Sequence, residues 1–216
     1  MSKTVIITGG ALDEGFVEKI LGENEGACII GVDRGVEYLY HHQIMPQYIV
    51  GDFDSIDPEV IKYYKEETHV PVREYNPIKD ASDTEIAIRF GITLGSKEII
   101  ILGATGGRID HLWANVQSLS VACQAGVEAY ILDQKNKIRV IDKPCVLKKS
   151  EAYGKYLSIF TLSGEVFDLN LRGTKWPLSH HALKPCDSLT VSNQFVDEMV
   201  EIDFPSGLLV VMETKD

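Results

Sequence analysis

Nothing in this sequence pairs its cysteines. Cys28, Cys123, Cys145 and Cys186 are scattered, with no C-x-x-C and no zinc-ligand spacing. That excludes a zinc ribbon or a dithiol redox motif and fits a reducing, cytoplasmic setting. Long apolar runs are also missing: none approaches the roughly 20 residues that span a bilayer. The first residues, Met1-Ser2-Lys3-Thr4-Val5, run directly into a strand pattern, so no signal peptide is expected. Positive charge is scarce. There are 21 Lys and Arg against 32 Asp and Glu, a net charge of −11. An acidic surface repels nucleic acid and anionic lipid, so neither is an expected partner. It does not oppose a phosphate ligand if a metal or local Arg reverses the sign at the site. Repeats and low-complexity tracts are absent, and no nucleophile elbow or Cys–His signature stands out.

What is present is a globular pattern. Of 216 residues, 44% are hydrophobic and 25% charged, enough to bury a substantial core. In the first part, β-branched apolar runs alternate with helical stripes. Strands are expected at residues 4–8, 27–32, 48–50, 99–102 and 127–132, with a short edge strand at 70–72 interrupted by Pro71. Helices are expected at 14–21, 36–42, 58–64 (Asp57 as N-cap, Pro58 opening it), from about residue 83, and at 110–124. Such alternation predicts a mostly parallel, Rossmann-like α/β sheet domain over residues 1–135. Beyond Asp133 the helical stripes stop, and short β-rich runs appear at 138–141, 145–147, 156–162, 165–171, 189–191, 199–202 and 208–212. They predict a C-terminal antiparallel β-sandwich over residues 140–216.

Polar residues collect where the parallel strands should end, which is where open α/β sheets bind ligands. Gly51-Asp52-Phe53-Asp54-Ser55-Ile56 follows a buried run. If the chain stays extended there, Asp52 and Asp54 face one side, and like charges so close call for a cation such as Mg²⁺. The same residues also suit a polar turn capped by Asp54 or Ser55. Lys79-Asp80-Ala81-Ser82-Asp83-Thr84-Glu85 precedes a helix; Ser82 and Glu85 match a capping box, which leaves Asp80 and Asp83 unexplained. Gly103-Ala104-Thr105-Gly106-Gly107-Arg108 is a glycine-rich strand-to-helix turn that can cradle phosphate, and Arg108 can fork two phosphate oxygens. Asp110 suits a metal, or it can orient Arg108 or His111; Asn115 lies one turn beyond His111. In the C-terminal part, Trp176 follows a Gly-Thr turn and offers a flat face to a heteroaromatic or cationic ligand, though a Trp there equally suits the core of the sandwich. Ser192 and Asn193 offer a hydroxyl and an amide to a ring's polar edge.

Taken in order, these motifs resemble the thiamin pyrophosphokinase family. The resemblance rests on Gly-Asp-Phe-Asp-Ser-Ile at 51–56, Lys-Asp-x-Ser-Asp at 79–83, Gly-Gly-Arg-x-Asp-His at 106–111, Gly-Thr-Lys-Trp-Pro-Leu at 173–178 and Ser-Asn at 192–193. It implies transfer of the β,γ-diphosphate of ATP to the hydroxyethyl oxygen of thiamin, releasing AMP. It also implies a homodimer with active sites between subunits. By position, Asp52, Asp54 and Asp83 would hold Mg²⁺, supported by Asp80 and Ser82. Arg108 and Asp110 would contact ATP or orient the hydroxyl. Asp33, Arg34, Gly106, Gly107 and His111 would complete the ATP site. Trp176, from the partner subunit, would stack on thiamin, with Ser192 and Asn193 lining its pocket. The chain departs from the family pattern in Asp33-Arg34-Gly35, where Asp-Gly-Gly is common, and in Ser82, where Thr is common.

Overall fold

In the computed structural model, which describes residues 3–75 and 81–216, the chain divides into two compact units, Met1–Gln134 and Lys135–Asp216. The first unit alternates strand and helix throughout: β1 (Lys3–Ile7), α1 (Glu14–Glu23), β2 (Cys28–Val32), α2 (Gly35–His41), β3 (Tyr48–Gly51), α3 (Pro58–Glu66), β4 (Val72–Glu74), α4 (Asp83–Thr93), β5 (Glu98–Leu102), α5 (Ile109–Gln124) and β6 (Glu128–Leu132). The strands lie in the order β6-β5-β1-β2-β3-β4, and every pairing among them is parallel. Val5, Ile6 and Ile7 of β1 and Ile99 and Ile101 of β5 are wholly buried. Continuous apolar strands of this kind are what a sheet covered on both faces requires. β4 begins just past Pro71 and closes the sheet edge, two residues later than the pattern predicts.

The helix starts follow local chemistry. Asp57 accepts a hydrogen bond from the Glu59 N–H (2.9 Å), with Pro58 in the first turn of α3. Ser82 Oγ accepts from the Glu85 N–H (3.2 Å) and so caps α4, while the Glu85 carboxylate takes the Arg89 guanidinium at 2.7 and 2.9 Å. One half of the expected capping box is therefore present.

The second unit is all antiparallel: β7 (Asn136–Ile141), β8 (Cys145–Lys148), β9 (Tyr156–Thr161), β10 (Val166–Arg172), β11 (Leu178–Leu183), β12 (Asn193–Gln194), β13 (Met199–Asp203) and β14 (Leu209–Thr214). Its strands form two sets, β12-β9-β14-β7 and β11-β10-β13-β8. Leu157, Ile159, Leu209 and Val211 from the first set and Leu147, Leu169, Leu171, Val200 and Ile202 from the second share one buried cluster, which makes the unit a sandwich.

Two expectations fail here. Residues 189–191 form a turn, not a strand: the Thr190 hydroxyl bonds the Ile159 carbonyl, and the segment is tied sideways onto β9. In its place Leu178–Leu183 forms β11, although Ser179-His180-His181 breaks the apolar alternation. The β10–β11 register is irregular, and Asp168 (φ 56°) and His180 (φ 51°) pair across it at 2.5 Å. No helix of the described residues is long and apolar enough to cross a membrane.

Candidate active site

Three carboxylates meet where the parallel strands end. Asp33 follows β2, Asp52 follows β3 and Asp83 opens α4; one oxygen from each lies within 4.8 Å of the others. Neighbouring strands cause this, since Val32 pairs with Val50 and so delivers the next acidic residues to the same edge. The bend at Asp33 is left-handed (φ 47°), a conformation that Asp tolerates better than most residues. All three are half-buried, so their mutual repulsion is poorly screened. A hard set of carboxylate oxygens this close suits Mg²⁺. Gly51 leaves the room: a Cβ there would fall 2.5 Å from Asp33 Oδ1.

The expected extended path from Asp52 to Asp54 is not what the chain takes. Phe53 turns left-handed (φ 61°), and Asp54 is exposed in the following turn, with its N–H 3.4 Å from Asp52 Oδ1. Asp54 stands outside the carboxylate group, and Asp33, expected only near ATP, stands inside it. Asp80 lies outside the described residues.

A cleft of about 720 Å³ adjoins the group; Asp33, Arg34, Ser82, Asp83, Gly107, Arg108, Asp110 and His111 are among its lining residues. Its floor is main chain. The Gly10 N–H donates to the Gly103 carbonyl (2.7 Å) and the Ala11 N–H to the Thr105 carbonyl (2.9 Å). Neither glycine admits a side chain, because a Cβ on Gly10 would lie 2.2 Å from the Gly103 carbonyl oxygen and one on Gly103 2.2 Å from the Thr8 carbonyl oxygen. Gly106, also left-handed (φ 75°), shapes the same turn but is not among the lining residues. Thr8 and Thr84 line the cleft with hydroxyls 3.4 Å apart, and buried Asn115 donates to the Ala104 carbonyl at 3.1 Å. Thr8 and Thr84 escaped the sequence reading. Their signal was position alone, the first at the end of β1 and the second beside Asp83.

At the rim, Arg108 grips Asp110 in a two-pronged pair, Nε to Oδ1 at 3.1 Å and Nη2 to Oδ2 at 2.6 Å, and the His111 N–H donates to Asp110 at 2.9 Å. These bonds hold the Asp110 carboxyl below the usual carboxylate range and push the Arg108 guanidinium still higher. Both side chains are exposed at the start of α5. Arg34 is likewise exposed, 3.8 Å from Glu37.

The second unit presents Trp176 in the loop before β11, with its ring half exposed and Lys175 Nζ 4.6 Å from the ring centroid. Ser192, left-handed (φ 57°) and exposed, precedes β12; the expected strand end there is a strand beginning. Asn193 is buried and hydrogen-bonded to the Trp176 main chain.

Comparison with known proteins gives matches in both units. The sequence model described as "Thiamin pyrophosphokinase, catalytic domain" matches residues 23–131, and that described as "Thiamin pyrophosphokinase, vitamin B1 binding domain" matches residues 145–209. The chain is 26% identical over 215 residues to the thiamine pyrophosphokinase of Bacillus subtilis, covering 99% of this chain and 100% of that one. The crystal structure of the Bacillus subtilis protein superposes with a TM-score of 0.86 over the whole of both chains at 26% identity. That of the thiamin pyrophosphokinase from Geobacillus thermodenitrificans does so with a TM-score of 0.83 at 28% identity, covering 100% of this chain and 98% of that one. With family matches in both units and an acidic group and glycine-floored cleft in the first, the chain belongs to the thiamin pyrophosphokinase family.

Proposed function

We propose that this chain transfers the β,γ-diphosphate of ATP to the hydroxyethyl oxygen of thiamin in a Mg²⁺-dependent reaction, giving thiamin diphosphate and AMP. The observation that carries the reading is the Asp33–Asp52–Asp83 group bordering a cleft with a main-chain floor. Asp33, Asp52 and Asp83 would hold Mg²⁺, joined by Asp54 from the adjoining turn. Bound there, Mg²⁺ would neutralise charge on the triphosphate. Ser82, at the start of α4, and the Gly103–Gly107 turn face the phosphates with a helix N-terminus and close main chain. Arg108 adds positive charge at the rim. Asp110 holds its guanidinium in one orientation until phosphate oxygens compete for it. Transfer of this kind depends on positioning and charge neutralisation, so no covalent nucleophile is required.

Trp176 is the platform for thiamin, whose cationic ring gains from an aromatic face. Ser192 borders the same loop. We infer a homodimer in which Trp176 serves the metal group of a second copy. Exposed Ile109 and Trp113, one turn apart on α5, supply apolar surface for such an association. None of the four cysteines forms a disulfide, in keeping with a cytoplasmic enzyme.

One assay tests the reading: purified protein with thiamin, ATP and Mg²⁺, following AMP and thiamin diphosphate together. Equal amounts of both are expected. ADP would mean single phosphoryl transfer, inorganic phosphate a hydrolase, and ligand binding without turnover a sensor. Each of these overturns the proposal. Light scattering of the same sample reads the dimer.

A further inference from the structure

Trp176 has an exposed ring but a bonded main chain, and the Asn193 side chain engages both its N–H and its carbonyl. Asn193 Oδ1 accepts from the Trp176 N–H at 3.0 Å, and Asn193 Nδ2 donates to the Trp176 carbonyl at 2.8 Å. The same Oδ1 also accepts from the Gln194 N–H at 2.9 Å. These partners set which atom is oxygen and which is nitrogen, since two N–H groups face one and a carbonyl faces the other. Asn193 is only 2% exposed, whereas Trp176 is 51% exposed. The amide is therefore almost fully engaged inside the fold.

The clamp is itself anchored. Asn193 pairs with Leu157 of β9, a core residue; the Ser192 N–H donates to Ser158 Oγ at 2.9 Å. The two segments are zipped on either side. The Lys175 N–H donates to the Gln194 carbonyl (3.0 Å), and the Val196 and Asp197 N–H groups share the Gly173 carbonyl (2.9 and 3.0 Å). The Thr174 hydroxyl bonds the Trp176 carbonyl a second time at 3.2 Å.

We propose that Asn193 is a positioning residue for thiamin: it sets the Trp176 ring through the main chain and does not touch the acceptor. The proposal rests on the reading of Trp176 as the thiamin platform. A primary amide places a donor and an acceptor side by side on one plane; an ionised Asp carboxylate has no donor and Ala has neither, so neither reproduces both bonds.

A double-mutant cycle tests it, with thiamin and ATP varied separately in Trp176→Ala, Asn193→Ala and the double variant. Asn193→Ala is expected to raise the thiamin KM roughly tenfold while leaving the ATP KM unchanged. In the Trp176→Ala background it should add nothing. Two results overturn the proposal: an unchanged thiamin KM in Asn193→Ala, or the same rise repeated in the double variant, which would put Asn193 on the acceptor itself. Asn193→Asp, which keeps the acceptor half, replaces Asn193→Ala if that variant does not fold. If Trp176→Ala leaves the thiamin KM unaltered, the platform reading has failed, and fluorescence anisotropy decides the clamp. In a Trp113→Phe background the Trp176 signal should depolarise when Asn193 is replaced; unaltered anisotropy rejects the clamp.

Discussion

Gly51 and Asp33 share a space that only a hydrogen can fill, since a Cβ on residue 51 would sit 2.5 Å from Asp33 Oδ1 and 3.1 Å from the Phe53 ring. Gly51→Ala is therefore expected to push Asp33 out of the carboxylate group. Turnover should fall by about 100-fold, the loss that a misplacement of about 1 Å brings, while overpacking costs about 1–3 kcal/mol of stability. Activity against Mg²⁺ concentration, alongside urea unfolding, measures both. A variant with wild-type Mg²⁺ response would remove Asp33 from the metal assignment.

Asp54 tests the loop in another way. Its side chain is exposed, so Asp54→Ala should unfold at the wild-type denaturant concentration. Turnover should nonetheless be abolished if the residue joins the metal group. Retained Mg²⁺-dependent activity would confine the metal to Asp33, Asp52 and Asp83.

The Arg108–Asp110 pair gives a prediction in pH. The Asp110 carboxyl is held below its ordinary range, first by the hydrogen bonds from Arg108. Its stabilising contribution is present at neutral pH and is lost as pH falls through that lowered value. In Arg108→Ala the carboxyl should titrate at higher pH, as carboxyl ¹³C NMR would register. Arg108→Lys keeps the charge but not the fork, so kcat/KM for ATP should drop by roughly tenfold. A drop confined to the thiamin KM would reassign the arginine.

Trp176→Ala should raise the thiamin KM more than the ATP KM. A loss of about 0.5–2 kcal/mol corresponds to roughly 2- to 30-fold. Equal effects on the two substrates would argue for a loop that folds the site and against a stacking surface.

Much of this was legible from residue order, because a buried apolar strand that ends in Asp announces itself. Val32 runs into Asp33 and Val50 runs through Gly51 into Asp52, and both acids lie at strand ends. What a single chain cannot display is which strands are neighbours. Asp33 joins Asp52 because β2 pairs with β3, a long-range fact. The path from Asp52 to Asp54 was not legible for a local reason, since one aromatic residue, Phe53, adopts a left-handed conformation that its side chain disfavours. In the second unit, Leu189-Thr190-Val191 has the composition of a strand, yet its threonine hydroxyl satisfies a β9 carbonyl and holds the segment as a turn. Ser179-His180-His181 has the composition of a loop, yet it is carried into β11 by its pairing with β10. Asn193 was read as lining a pocket because an amide after a serine suggests a ligand contact; its bonds to the Trp176 main chain, 17 residues away in sequence, are long-range and no local pattern displays them.

The main-chain floor of the cleft has a consequence for inhibition. A compound seated against Gly10 and Gly103 would meet peptide groups that every variant of the chain must keep. At either position a new side chain would collide with a carbonyl oxygen at 2.2 Å. Resistance would have to arise at the exposed rim, at Arg34 or Arg108, where a substitution that evades the compound also removes a positive charge from the proposed phosphate site.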